Sequence, residues 1–192
     1  MLVLLLLHVS AFAGEPLTDT DREKLLAHLD ISANAFLDSV KGLTDAQWNY
    51  RAGEGRWTIA EVAEHIAAAE ALIRGGAEGG MKEQASAEIL ADARHDEMIL
   101  SRIPNRDQKF KAPEPLVPTN RFHSPQAAVE AFEKERAETR KLARNGGDLR
   151  AFAAKGPVGN LDAYGWLLFT SAHTVRHTKQ IEEVKASPGF PK

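Results

Sequence analysis

The 192-residue chain contains no cysteine. Without thiols it can form neither a disulfide framework nor a thiolate nucleophile, and any metal site must use nitrogen and oxygen ligands. A domain of this length buries enough apolar surface to fold without disulfides. Positive charge is not in excess either, since the net charge is −3. A nucleic-acid partner would favour a basic face, so we expect no such partner.

Regular alternation of apolar and polar residues, the pattern of a half-buried strand, is also missing. Apolar residues instead recur every three or four positions along four long segments, which predicts an all-α protein. The predicted fold is a four-helix bundle with a long crossover between the second and third long helices and one additional short helix. Within the crossover, the stretch DQKFKAPEPLVPTNRFHSP holds four prolines and forms either an ordered excursion or a mobile lid.

Capping and breaking residues bound each predicted helix. Thr58 and Glu61 have the spacing of a capping box at the start of the second long helix. Ser124 followed by Pro125 gives an N-cap serine and a proline at the first helical position of the third. The predicted long helices run from about Asp19 to Val40, from Trp57–Thr58 to Gly75–Gly76, from Ser124 to about Arg144 and from about Asn160 to Ala186, and the short helix runs from Ser86 to Ile103.

The start of the chain is a separate segment. A short apolar run, MLVLLLLHVS, leads to Ala11-Phe12-Ala13, a small-x-small pattern typical of signal cleavage, although no lysine or arginine precedes Arg22. The run is shorter than the roughly 20 apolar residues of a stable membrane span. We predict that residues 1–13 are a signal peptide and that residues 14–192 form one domain, exported to the periplasm or beyond the cell. The alternative is a native apolar extension of a cytoplasmic protein.

Two histidines lie one helical turn apart in the last long helix. His173 and His177, in SAHTVRHTKQ, are spaced i and i+4, on or beside the apolar stripe. That spacing suits two imidazoles converging on one cation, although an isolated pair more often packs a helix face. The glutamate of the H-E-x-x-H motif is missing, so the sequence does not support a metalloprotease of that type.

A third histidine faces inward on the second long helix. His65, in WTIAEVAEHIAAAE, shares a face with Val62 and Ala69. A lone inward histidine is more often a satisfied core residue, but a cation shared with two other imidazoles would equally satisfy it. Three neutral imidazoles leave an open coordination position, as in catalytic metal sites. The predicted metal ligands are therefore His65, His173 and His177, and no catalytic residue is predicted.

Two arginines are candidates for contact with an anion. Arg136 lies on the apolar stripe of the third long helix, and Arg176 lies between the two histidines of the fourth. The alternative for each is an ion-paired arginine on the helix surface. Among the other histidines, His123 in the crossover is placed to reach the mouth of a site, and we expect His28 and His95 to have local roles.

Three motifs occur in a fixed order along the chain. W-T-I-A-E-V-A-E-H opens the second long helix, APEPLVP followed by RFHSP lies in the crossover, and HTVRH followed by QI lies in the last helix. In this order they resemble the DinB superfamily of YfiT-like metal-dependent hydrolases and bacillithiol-transferase-like proteins, from about Asp19 to Val184. The resemblance implies a four-helix bundle, often dimeric. It also implies a divalent metal, most often zinc or nickel, held by His65, His173 and His177.

The resemblance leaves the reaction open. Some relatives resemble thiol S-transferases or mycothiol-dependent isomerases, and most have no assigned substrate. Because low-molecular-weight thiol cofactors are cytoplasmic, export favours hydrolysis or an unassigned role. We expect a divalent-metal-dependent enzyme of hydrolase or thiol S-transferase type that acts on a small molecule. The alternative is a non-catalytic helical module that binds a metal ion or a small molecule.

Overall fold

A computed structural model of the chain describes residues 16–82 and 84–192. The predicted signal peptide, residues 1–13, lies outside the described residues, so its cleavage stays a prediction. In chain order the elements are α1 (Asp19–Val40), α2 (Asp45–Trp48), α3 (Ile59–Gly80), α4 (Ala87–Asp92), α5 (Asp96–Arg102), a 3-10 turn (Glu114–Leu116), α6 (Pro125–Asn145), β1 (Ala153–Gly156), β2 (Gly159–Asp162) and α7 (Ala163–Lys185).

The four long helices form the predicted bundle. α3 and α1 each pack against both α6 and α7, while α6 and α7 have few contacts with each other. The crossover from α3 to α6 carries the short helices and the 3-10 turn, and α5 packs on α7. Phe36 and Phe132 meet edge to face in the core, with ring centroids 4.7 Å apart. No helix in the described part of the chain combines the length and apolarity that crossing a membrane requires.

Helix starts follow the predicted capping residues. Thr58 accepts a hydrogen bond from the backbone of Glu61, whose side chain accepts one from the backbone of Thr58, which completes the capping box. Ser124 caps α6, with Pro125 at its first position. The last long helix differs from the prediction, because Asp162 rather than Asn160 is its N-cap and accepts from the Gly165 amide at 2.6 Å.

The segment before α7 contains a hairpin that the sequence pattern did not predict. β1 and β2 pair antiparallel, with Gly156 opposite Gly159. Strands of four residues are too short to show a clear alternation. The predicted single short helix from Ser86 to Ile103 is likewise two helices, α4 and α5, interrupted around a buried Ala93. The connector between α1 and α3 contains a further short helix, α2.

The predicted end of the second long helix at Gly75–Gly76 is wrong, because α3 continues to Gly80. Trp166 of α7 explains the difference. A Cβ atom on Gly76 would lie 2.6 Å from the Trp166 ring, so only glycine allows this ring to pack directly on the α3 backbone. The tertiary contact thus outweighs the low helix propensity of glycine at this point.

Substitutions at the two adjacent glycines test this explanation. We expect Gly76→Ala to lower the melting temperature, because the methyl group would collide with Trp166. Gly75→Ala is the matched control, since a Cβ atom there meets nothing within 4 Å. It should stabilise the helix by up to about 1 kcal/mol. Equal shifts of the two melting temperatures would contradict the packing account.

A buried ion pair links all four long helices. Arg136 of α6 and Glu70 of α3 have side chains that are 4% and 1% exposed. The guanidinium also donates to Ser32 Oγ and the Leu29 carbonyl of α1, and to Thr174 Oγ1 of α7. These acceptors satisfy all of the N–H donors that an arginine carries. The pair therefore avoids the penalty of a buried, unsatisfied charge.

Removing one partner of this pair should be strongly destabilising. Arg136→Met leaves the Glu70 carboxylate buried without its cation, which we expect to lower the free energy of unfolding by about 3–5 kcal/mol. Arg140→Met is the control, because Arg140 pairs with Asp30 and their side chains are 40% and 38% exposed. Arg140→Met should lower the free energy of unfolding by less than about 1 kcal/mol. Urea denaturation measures both values, and similar losses would contradict a special role for the buried pair.

Candidate metal centre

The structure brings together the three histidines that the sequence singled out. His65 of α3 faces His173 and His177 of α7 across the bundle, and its Nε2 lies 3.2 Å from the Nε2 of each. One nitrogen from each ring lies within 4.8 Å of the other two. His65 is 3% exposed and His177 is 9% exposed. The group therefore lies in the bundle interior, with His173 partly buried beside it.

A backbone carbonyl fixes the protonation pattern of the His65 ring. Its Nδ1 lies 2.8 Å from the carbonyl oxygen of Leu116, at the end of the 3-10 turn. A carbonyl only accepts hydrogen bonds, so Nδ1 carries the proton and donates it. In the neutral ring, Nε2 then presents a lone pair to the other two histidines. The Trp57 ring packs against the His65 ring, with the two ring centroids 5.0 Å apart, and limits the rotation of the imidazole.

A second contact fixes the protonation pattern of His177. Its Nδ1 lies 2.9 Å from Oε1 of Gln180, and the same oxygen accepts from Nη1 of Arg106 at 3.2 Å. Because arginine only donates, the Gln180 atom that contacts Arg106 must be the amide oxygen. The same oxygen contacts His177 Nδ1, so His177 Nδ1 must be the donor. Glu183 holds Arg106 through two hydrogen bonds of 2.5 and 2.9 Å. His177 Nε2 is therefore also unprotonated when the ring is neutral.

Burial favours the neutral form of the three rings. It lowers the pKa of His65 below the ordinary imidazole value, and it lowers the pKa values of His173 and His177 well below that value. The neighbouring imidazoles lower the pKa values of His173 and His177 further, because two cations this close repel each other. Neutral imidazole is the form that binds metal ions.

The spacing of the nitrogens matches a metal site. The lone pairs of His65 and His177 face each other at 3.2 Å with no proton between them, an arrangement that a shared cation would stabilise. In a tetrahedral zinc site with metal–nitrogen bonds of about 2.0–2.1 Å, the nitrogens are about 3.3–3.4 Å apart. The residues present therefore fit a borderline-soft divalent ion such as zinc or nickel.

The other candidate side chains are engaged elsewhere. Arg136 is the buried partner of Glu70. Arg176 donates to the carbonyls of Ile103, Asn105 and Gln108, and so anchors the middle of the crossover to α7. Neither is a free group for an anion, and neither is the surface arginine of the alternative interpretation. His123 is exposed and lines a groove of ≈ 660 Å³ whose lining does not include the three histidines.

Several residues that support the histidines were not predicted. Gln180 follows His177 by three positions on α7, a spacing that places the two side chains on one face and was readable from the sequence. Glu64 directly precedes His65 and binds crossover residues. Leu116 and Arg106 lie in the crossover, whose path no periodic pattern reveals. The sequence therefore predicts the inner group of side chains better than its surroundings.

Residues 28–181 match the family model of the DinB superfamily. The chain belongs to the DinB superfamily. A comparison with curated proteins finds no match. Among solved structures, the chain is similar to YfiT from Bacillus subtilis, described as a probable metal-dependent hydrolase with an unusual four-helix bundle topology. The two are 14% identical, the likeness covers 93% of each chain, and the TM-score is 0.61, which supports the DinB fold.

The lowered histidine pKa values predict how the stability of the metal-free DinB domain depends on pH. In the unfolded chain the imidazoles titrate near pH 6.5, whereas the buried rings stay neutral to lower pH. Below about pH 6.5 the unfolded state therefore binds more protons, and stability falls as the pH is lowered. For each ring that stays neutral, the free energy of unfolding falls by up to about 1.4 kcal/mol for each pH unit below that point.

Urea denaturation in EDTA between pH 7.5 and 5.5 measures this slope. We expect His173→Gln to reduce the slope, because one buried imidazole no longer has to stay neutral. His123→Asn is the matched control, because it removes an exposed imidazole at a backbone φ of 63° that asparagine also tolerates. If the two variants changed the slope equally, the buried rings would not be its source.

Proposed function

We propose that this DinB protein is a divalent-metal-dependent hydrolase, with His65, His173 and His177 as the metal ligands. The observation that carries the proposal is the pair of unprotonated Nε2 atoms, of His65 and His177, facing each other at 3.2 Å. Zinc or nickel suits the all-nitrogen ligand set. Three protein ligands leave coordination open for a small-molecule substrate, which is typical of a catalytic rather than a structural site.

The residues around the histidines would bind and orient the ion. The Leu116 carbonyl and the Gln180 amide each hold an Nδ1–H, which turns the Nε2 lone pairs of His65 and His177 inward. Trp57 packs on the His65 ring, and the ring centroids of Phe169 and His173 are 6.0 Å apart. These two aromatic rings limit the access of water from their sides. A bound divalent ion would supply Lewis acidity towards a substrate oxygen and lower the pKa of a water molecule.

Hydrolysis is proposed over thiol transfer on two grounds. The similar fold of YfiT belongs to a protein described as a probable metal-dependent hydrolase. The signal-like start of the chain, MLVLLLLHVSAFA, favours export, away from cytoplasmic thiol cofactors. We also propose a homodimer, as the resemblance to the superfamily implies. Mass spectrometry of the mature N-terminus tests export, and light scattering tests the dimer.

Metal analysis tests the ligand assignment. We expect about one divalent ion per chain after purification without chelator, and its loss in the double variant His65→Ala/His173→Ala. His123→Asn, which removes an exposed histidine away from the group, should retain the ion. An unchanged metal content in the double variant would overturn the proposal.

Thermal melting with and without EDTA separates an enzyme from a binding module. Metal at 100 times its dissociation constant should stabilise the native state by about 2.7 kcal/mol. For a metal-dependent hydrolase we expect this stabilisation together with metal-dependent turnover of ester, amide or phosphoester substrates. Stabilisation without turnover of these substrates would favour the non-catalytic module, and turnover only with a low-molecular-weight thiol would favour the transferase.

A further inference from the structure

Glu64 is a buried carboxylate beside His65 that binds the crossover rather than the histidines. Its side chain is 7% exposed and accepts hydrogen bonds from the backbone amides of Thr119 and Asn120, at 2.6 and 2.8 Å. It also accepts from Nε of Arg121 at 3.0 Å. Asn120 has a φ of 61°, a left-handed backbone conformation that asparagine tolerates. Glu64 therefore anchors the end of the crossover to α3.

Arg121 extends this anchor to the turn that contacts His65. Its Nη1 donates to the Pro115 carbonyl at 2.8 Å, and its Nη2 donates to the Val117 carbonyl at 2.7 Å. The carbonyl between these two belongs to Leu116, and it accepts from His65 Nδ1. Three consecutive carbonyls are thus fixed, the outer two by Arg121 and the middle one by His65. The direction of the middle carbonyl depends on the outer two, because all three belong to one short turn.

We propose that Glu64 and Arg121 are positioning residues of the metal centre. Together they hold the turn at residues 114–117 so that the Leu116 carbonyl keeps the His65 ring in one tautomer, with Nε2 directed at His173 and His177. The inference rests on the proposed metal-binding function and adds residues that contact neither the ion nor a substrate. Partners of this kind typically change metal affinity by about 10–100-fold when they are removed.

Positioning and simple electrostatics predict different outcomes. If only charge mattered, removing the negative Glu64 would weaken metal binding, and removing the positive Arg121 would strengthen it. If the two residues hold the turn, both substitutions weaken binding, because either one releases the Leu116 carbonyl. The sign of the Arg121 effect therefore decides between the two explanations.

The chain offers a matched control pair at the same end of α3. Glu61 and Arg51 form a salt bridge of 2.8 Å, and Glu61 also accepts from the Thr58 amide at 2.7 Å. Neither residue contacts residues 114–121 in the hydrogen bonds and ion pairs of the described chain. Glu61→Gln and Arg51→Gln make the same changes of charge close to the site. They therefore control for local stability and for charge.

The experiment compares the full chain with Glu64→Gln, Arg121→Gln, Glu61→Gln and Arg51→Gln. Zinc affinity is measured by competition with a chelator, and the visible spectrum of the Co²⁺-loaded protein reports ligand geometry. Long-range ¹H–¹⁵N NMR of the metal-free protein reports the His65 tautomer, and melting in EDTA reports folding. If Glu64→Gln failed to fold, Arg121→Gln would carry the test, because its side chain is 31% exposed in the native protein.

We expect both Glu64→Gln and Arg121→Gln to raise the zinc dissociation constant about 10-fold or more. They should also alter the Co²⁺ spectrum and give a mixture of His65 tautomers. The two controls should stay within about twofold of the unaltered protein. Unchanged affinity and tautomer in the first two variants, or tighter binding by Arg121→Gln, would overturn the positioning role while leaving the proposed function intact. Failure of the unaltered chain to bind zinc, nickel or cobalt would overturn both.

Discussion

The buried pair of Arg136 and Glu70 is the contact on which the geometry of the bundle depends. Desolvating two charges is costly, so the pair is tolerated only where every donor finds an acceptor, and the acceptors of Arg136 come from the three other long helices. Sliding one helix along another would leave part of the guanidinium unsatisfied. Glu70 follows His65 by little more than one turn of α3, and Thr174 adjoins His173 on α7. The register that satisfies the charge is thus also the register that brings the three histidines together.

Residues of the crossover determine the tautomers of two of the three histidines. Helix faces place the imidazoles, but they do not determine which ring nitrogen carries the proton. The Leu116 carbonyl does so for His65, and Arg106, acting through the orientation of the Gln180 amide, does so for His177. Arg176 anchors the middle of the crossover and Glu64 anchors its end. The crossover therefore contributes contacts to the site along the stretches that these residues hold, and is more than a connection between helices.

The sequence predicted the long helices, their bundle and the inward face of His65 because these depend on local periodicity and capping. It could not predict that α3 continues through Gly76, because the compensating ring of Trp166 lies far away in the sequence. The hairpin before α7 is too short to show a period. Arg136 was placed on the apolar stripe of its helix, but its buried ion pair with Glu70 was not predicted, because pairing across helices has no signal in a single sequence. The supporting contacts from the crossover were missed for the same reason.

His65 donates to a backbone carbonyl, that of Leu116, and not to a side chain, which affects how the sequences of such proteins can diverge. An oxygen of the peptide backbone serves equally well whichever side chain stands at position 116, so this contact places no direct restriction on residue identity there. Substitutions in the crossover can accumulate as long as the loop keeps its bend and its two anchors. A comparison of side chains alone would overlook this contact. Loop transplantation between distant members of the superfamily would therefore depend on backbone shape and on the anchoring residues, and not on the side chain at position 116.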